Sequence, residues 1–213
     1  MGRLQGVSCK RPIFFQIHSK PNAPMKKVLA FGASSSSRSI NRQLAQYAAG
    51  LLPNVEVRFL DLRDYELPLF SIDREEAEGI PEKARRFKEA IAEADGVLIS
   101  LAEHNGSYTA VFKNLIDWAS RLPGSLWQDK PLLLLATSPG KRGARSVLEQ
   151  AATRFPHMGG RVVARFSLPS FEQNFHPETG IAEPGLRQDF EAALSEFVQA
   201  LLEVKEKEEE PSS

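Results

Sequence analysis

Residues 27–50 read Lys27-Val-Leu-Ala-Phe-Gly32-Ala-Ser34-Ser-Ser36-Ser-Arg38-Ser39-Ile40-Asn41-Arg-Gln-Leu44-Ala-Gln-Tyr47-Ala-Ala-Gly50. A short apolar strand, Val28 to Phe31, ends at Gly32, a hydroxyl-rich turn follows, and apolar residues at helical spacing (Leu44, Tyr47, Leu51) then begin a helix. The open N–H groups of a first helical turn and the positive end of its dipole favour an anion at that point. Ser34, Ser36, Ser39 and Asn41 add hydrogen-bonding groups and Arg38 a mobile positive charge. Serine and asparagine also serve as ordinary caps and turn formers, for which one residue suffices. Four successive serines followed by Arg-Ser-Ile-Asn exceed that need, so a phosphorylated ligand is the expected guest. Neither Gly-x-x-x-x-Gly-Lys-Ser/Thr nor Gly-x-Gly-x-x-Gly is present in the loop, which argues against NTP hydrolysis and ordinary dinucleotide binding.

Outward from this unit the pattern repeats. Strands are expected at Val55 to Leu60, Val97 to Leu101, Pro131 to Ala136 and Arg161 to Phe166. Helices are expected from Pro81, over Thr109 to Arg121, around Val147, Leu148 and Ala151, and over about Gly185 to Lys205. Five strands alternating with helices specify an α/β protein, a three-layer sandwich with a parallel sheet covered on both faces. In a sheet of order 2-1-3-4-5, ligands sit beyond the carboxyl ends of the strands where the order reverses. The loops after the first, third and fourth strands meet there, and they are the polar, irregular ones: Ser34 to Asn41, Glu103 to Tyr108 and Ser138 to Gly143.

The second of these, Ala102-Glu103-His104-Asn105-Gly106-Ser107-Tyr108, can present backbone groups to the edge of a flat heterocycle while His104 or Tyr108 covers a face. Gly106 marks a tight turn or a close backbone approach. In the third, Gly140 and Gly143 leave room for the same ring beside Ser138. Lys141, Arg142 and Arg145 oppose a helix dipole and ask for an anion, of which a nicotinamide cofactor's phosphate is one. A planar cofactor with a phosphate tail fits such a pocket.

Composition sets the remaining bounds. The chain has 213 residues, 42% of them apolar, and 27 basic against 27 acidic side chains, so no global field draws it to nucleic acid or an anionic membrane. The longest apolar run, Pro131 to Ala136, is too short to span a bilayer, and a cytoplasmic protein is expected. Cys9 is the only cysteine, and His18, His104, His157 and His176 lack ligand spacing, so neither thiol redox chemistry nor a metal site is expected. Redox work would need an organic cofactor. Residues 1–24 read as a disordered extension ahead of Met25, residues 25–205 as one domain, and residues 206–213 as a frayed charged tail.

Three motifs together, Gly32 to Asn41, Glu103-His-Asn-Gly-Ser107 with Phe112-Lys-Asn-Leu-Ile-Asp-Trp118 and Arg121, and Ser138-Pro-Gly140, resemble the NADPH-dependent FMN reductase family, which includes chromate, quinone and azo-dye reductases. The likeness covers about residues 26 to 171 and implies a flavodoxin-like fold. Here Ser36 stands where the family usually has arginine, with Arg38 two places later, and Ala102 and His104 replace the proline and tyrosine of its Pro-Glu-Tyr-Asn motif. The resemblance implies FMN and NADPH as cofactors, with Ser34, Ser36, Arg38, Ser39, Ile40 and Asn41 at the phosphate. Glu103, His104, Asn105 and Gly106 would border the ring, with Ser138 and Gly140 nearby. It implies hydride transfer from NADPH through the flavin to a small-molecule acceptor, such as a quinone, free flavin, azo compound or metal oxyanion, with no catalytic side chain required. It further implies a homodimer or homotetramer. A flavodoxin-like electron carrier without NADPH turnover is the alternative, which an acidic surface would favour and this neutral chain does not.

Overall fold

The computed structural model describes residues 25–203, so the expectations for residues 1–24 and 206–213 lie outside the described residues. A five-stranded, all-parallel sheet is built from β1 (Lys26–Ala33), β2 (Val55–Leu60), β3 (Gly96–Leu101), β6 (Pro131–Thr137) and β7 (Arg161–Leu168) in the order β2-β1-β3-β6-β7. Counting only these strands, that is 2-1-3-4-5, the flavodoxin-like sandwich expected from the sequence. The strand order reverses between β1 and β3.

Side-chain alternation along the strands feeds two cores. Leu29, Phe31, Val97, Ile99, Leu132 and Leu134 face α3 (Glu82–Ala92), α4 (Ala110–Ala119) and α5 (Arg145–Arg154), whose Phe87, Ile91, Phe112, Leu115 and Val147 close that side. Val28, Ala30, Leu98, Leu133 and Leu135 face α1 (Ile40–Leu51) and α7 (Pro184–Glu203), with Leu44, Ala48, Phe190, Leu194 and Phe197. Both-faces burial explains why β3 and β6 read as continuous apolar runs. Trp118 and Trp127 are fully buried and belong to the interior. Trp118 Nε1 donates to the Pro68 carbonyl at 2.7 Å, and Asn114 of α4 accepts from Phe70 N–H at 2.9 Å and donates to the carbonyls of Leu67 and Pro68. The segment after β2 is thereby held against α4. It contains α2 (Ile72–Glu78), a helix with no buried residue. Leu69 and Ile72 there are 75% and 62% exposed.

Three further pieces are short: β4 (Glu103–His104) with β5 (Ser107–Tyr108), α6 (Phe171–Asn174), and β8 (Phe175–His176) with β9 (Gly180–Ile181). The last hairpin packs Phe175 edge-on against Tyr47 of α1, and Gly180 lies so close to the Tyr47 ring that a Cβ would collide with it.

Lys88 of α3 is buried, yet its ammonium donates to the carbonyls of Leu122, Pro123 and Gly124 at 3.0, 2.8 and 2.9 Å, filling all three of its donor positions. Asp61, at the end of β2, accepts from Arg63 and pairs with Arg42 of α1 at 3.1 Å. The hydrogen bond from Arg63, with Arg42 contributing, holds the Asp61 carboxyl down at about 2. A depressed carboxylate contributes stability above its unfolded value, and that contribution is lost as pH falls through the folded one. Asp61→Asn is therefore expected to lower unfolding free energy at pH 7 by about 1–2 kcal/mol, less than the full shift implies because both guanidinium groups stay partly solvated. Urea titrations should show the gap between mutant and parent closing as pH falls from about 4 toward 2.

Candidate functional site

At Gly32 the backbone of α1 meets β1: a Cβ there would lie 2.5 Å from the Arg42 nitrogen and 2.9 Å from the Asn41 carbonyl carbon. Only glycine permits this approach, and it sets the N-terminus of α1 directly over the end of the strand. The Ser-rich loop between them is knit by its own hydroxyls. Ser34 Oγ accepts from Ser36 N–H, Ser36 Oγ from Arg38 N–H, and Ser39 Oγ, the N-cap of α1, from Arg42 N–H, each at 3.2 Å. Each of these bonds occupies an oxygen lone pair and leaves the O–H hydrogen available to donate. The backbone N–H groups of Ser35, Ser37, Ile40 and Asn41 have no partner among the described residues. Arg38 is exposed above them. The loop thus offers hydroxyl and amide donors and a guanidinium at the positive end of a helix, which is the donor set an anion requires.

Asn41 differs from the expectation made for it. Its side chain is buried, 3% exposed, and points into the sheet. Oδ1 accepts from Thr137 N–H at 3.0 Å and from Ser100 Oγ at 2.8 Å, while Nδ2 donates to the Thr137 carbonyl at 3.0 Å. The amide ties α1 to β3 and β6, leaving the backbone N–H of Asn41 facing the loop. Ser100 and Thr137 were passed over in the sequence reading. Polar residues in Val97-Leu-Ile-Ser100-Leu and Leu132-Leu-Leu-Leu-Ala-Thr137 were the available signal.

The second loop is a β-hairpin. Glu103 pairs with Tyr108 and His104 with Ser107, joined by Asn105 and Gly106 at φ 52° and 78°. Two consecutive positive φ values are those of a type I′ turn, for which Asn-Gly is the favoured pair. The hairpin is fastened to its neighbours. Glu103 Oε2 accepts from Val147 N–H at 2.9 Å, capping α5, which begins after left-handed Ala144 without a side-chain cap of its own. Ser107 Oγ donates to Gln150 of α5 at 3.0 Å. Thr109 Oγ1 donates to the Ala33 carbonyl at 2.9 Å and also caps α4. His104, Asn105 and Gly106 remain exposed.

Tyr108 is no ring cover. It is buried, stacked on Phe155 at 6.0 Å with a 6° interplanar angle, and its hydroxyl has no partner among the described residues. Burial pushes that phenol up to about 12.

The third loop follows β6. The Ser138 carbonyl accepts from Phe171 N–H, that of Gly140 from Ser170 N–H, and Ser138 Oγ donates to the Gly140 carbonyl at 3.3 Å. Gly143, at φ 59°, is filled in rather than open: a Cβ would collide with Ser167 and with the Leu168–Pro169 backbone. Gly140 is exposed, with nothing but the Ser138 hydroxyl within 4 Å of a Cβ built on it. Of the two glycines expected to leave room for a ring, Gly140 alone does so.

These loops stand together at the carboxyl end of β1, β3 and β6, beside the point where strand order reverses, which defines a doubly wound α/β protein with unpaired donors gathered at its switch point. The chain belongs to the NADPH-dependent FMN reductase family, whose sequence model matches residues 26–173. FMN and NADPH, the cofactors the sequence resemblance implied, are those in the family's description. Among its relatives, a 2-hydroxy-1,4-benzoquinone reductase of a Burkholderia species is 42% identical over 119 residues, 55% of this chain and 63% of that protein. An NADPH:quinone oxidoreductase of Arabidopsis thaliana is 34% identical over 127 residues, 58% of this chain and 63% of that one. The chain thus spans about 63% of the length of the curated relatives it matches. The solved structure of FerB, a flavoenzyme NAD(P)H:(acceptor) oxidoreductase from Paracoccus denitrificans, superposes with a TM-score of 0.68 at 26% identity, covering 84% of this chain and 98% of that one.

Asn41→Leu is expected to destabilise the protein by about 3 kcal/mol or more, since it strands the Thr137 N–H and C=O and the Ser100 hydroxyl in the interior. Glu103→Ala should cost about 1 kcal/mol as a lost cap. Denaturant titration checks both, and a smaller loss for Asn41→Leu than for Glu103→Ala would contradict the assignment of roles.

Proposed function

We propose that this protein is an NAD(P)H-dependent flavoprotein reductase that uses FMN to pass two electrons from NADPH to a small-molecule acceptor such as a quinone, free flavin, azo compound or metal oxyanion. The observation that carries this reading is the donor set of the Ser-rich loop: three hydroxyls already held by backbone N–H groups, four backbone N–H groups without partners, and Arg38. A phosphate monoester dianion is the guest such a cradle fits. When bound, FMN supplies hydride acceptance and delivery, chemistry that no side chain here needs to perform.

In this reading Ser34, Ser36 and Ser39 donate through their hydroxyls, Ile40 and Asn41 through backbone N–H groups, and Arg38 supplies charge. The hairpin Glu103-His104-Asn105-Gly106 borders the ring through backbone groups and the His104 side chain, because the Glu103 carboxylate is committed to α5. Ser138 and the open Gly140 flank the same space, and the exposed Lys141 and Arg142 lie where a nicotinamide cofactor's extra phosphate would be received. Self-association into a homodimer or homotetramer is part of the reading, and exposed Leu69 and Ile72 are surface such an interface would cover. A cytoplasmic location also belongs to it. Among the described residues no helix is long and apolar enough to cross a membrane.

Purified protein incubated with FMN and desalted is expected to retain flavin absorbance that bleaches on anaerobic addition of NADPH. Retention without bleaching would point instead to an electron carrier, and no retained flavin would refute the cofactor assignment. Arg38→Gln together with Ser36→Ala should weaken FMN roughly tenfold while changing riboflavin affinity little, because the lost groups serve the phosphate. Equal losses for the two flavins would remove these residues from the phosphate site.

A further inference from the structure

The chain as a whole is electrically balanced, with 27 basic and 27 acidic side chains, but its three site loops are not. Residues 34–39, 102–109 and 138–144 carry Arg38, Lys141 and Arg142 as cations and Glu103 as the one carboxylate. That carboxylate is turned away from the opening, its Oε2 taken by the Val147 N–H at the start of α5. Arg38, Lys141 and Arg142 are all exposed, and Arg145 at the first position of α5 adds a fourth exposed cation. Arg142 Nη2 donates to Ser146 Oγ at 3.0 Å, which holds its guanidinium along the first turn of α5 rather than free in solvent. Positive charge at the positive end of a helix dipole raises the local potential further. Exposed carboxylates lie outside these loops, Glu149 in α5, Glu172 in α6, and Asp64 and Glu66 in the segment after β2.

We infer that the site selects electron acceptors carrying a negative charge, such as aromatic or quinonoid molecules with an ionised hydroxyl, carboxylate or sulfonate, over neutral ones of the same shape. The inference rests on the proposed flavin site and adds to it the charge of the second substrate. With Arg38 paired to the FMN phosphate, an acceptor that enters after the nicotinamide cofactor has left meets the rim of Lys141, Arg142 and Arg145 without the phosphates that had neutralised them. A low-dielectric cleft lined by one sign of charge concentrates the opposite sign from solution.

The test separates binding from turnover by using redox-inert probes. FMN-loaded protein is titrated with naphthalene-2-sulfonate and with its neutral isostere naphthalene-2-sulfonamide, followed by calorimetry and by perturbation of the flavin absorbance. The sulfonate is expected to bind roughly fivefold tighter or better at about 20 mM salt, with the advantage shrinking below about twofold at about 500 mM as the screening length falls to a few ångströms. Lys141→Gln with Arg142→Gln, both exposed and free of packing roles, should abolish most of the low-salt advantage. Equal affinities at low salt would overturn charge selection. A sulfonate preference that survives the double substitution would overturn its assignment to this rim. Flavin retention on the same sample keeps the two levels apart: protein that holds no FMN overturns the site reading and this inference together, whereas FMN-loaded protein that ignores probe charge overturns the inference alone.

Discussion

One buried amide holds the site together. The Asn41 side chain reaches from the first turn of α1 to Ser100 in β3 and to both backbone groups of Thr137 at the end of β6. Strands can form a sheet without it, but nothing else described fixes how the start of α1 sits over the middle of that sheet with comparable directionality. Gly32 permits the close approach and Asn41 makes it specific. Because the three bonds are made in the interior, any arrangement that breaks them leaves polar groups unsolvated, so the geometry of the loop before α1 is set from beneath. The serine hydroxyls then organise the loop from within, and ligand-facing donors are what remain.

Electrostatics follow the same division. Two anionic groups are engaged in structure: Glu103 caps α5 and Asp61 sits between Arg42 and Arg63. Cations are left at the surface around the loops. A chain with no net charge can therefore present a locally positive opening, because charge neutrality over a whole molecule says nothing about how the charges that remain exposed are arranged. Lys88 is the reverse case, a cation withdrawn from the surface to bind three successive carbonyls in the bend that follows α4.

The sheet was legible because each strand is a run of apolar residues bounded by turn signals, and the strand bounds read from Val55 to Leu60 agree with the structure at both ends. The convergence of the three loops followed from topology alone. What escaped were features whose signal is carried by single residues or by distant partners. Asn105-Gly106 is a local hairpin code obscured by the unusual density of polar side chains around it. α2 buries no residue and so has no apolar periodicity to find; it is held at Arg121, whose guanidinium meets Glu75 at 2.8 Å. Asn41, Glu103 and Tyr108 were read as facing a ligand because their neighbours do. Their inward direction depends on residues 96, 44 and 47 positions away, which no local pattern encodes.

The span between Asn41 and Thr137 also bears on the order in which the protein can be built. During synthesis α1 emerges nearly one hundred residues before the backbone groups its amide must meet. A nascent chain that has not yet delivered β6 can pair β1 with β2 and β3 and can seat α1 through Gly32 and Ser100, but the two Thr137 bonds of Asn41 are still missing. The seat of α1 is therefore completed only when the fourth of the five strands has emerged. The loop before α1 thus gains the last of its support from beneath only when residue 137 is in place.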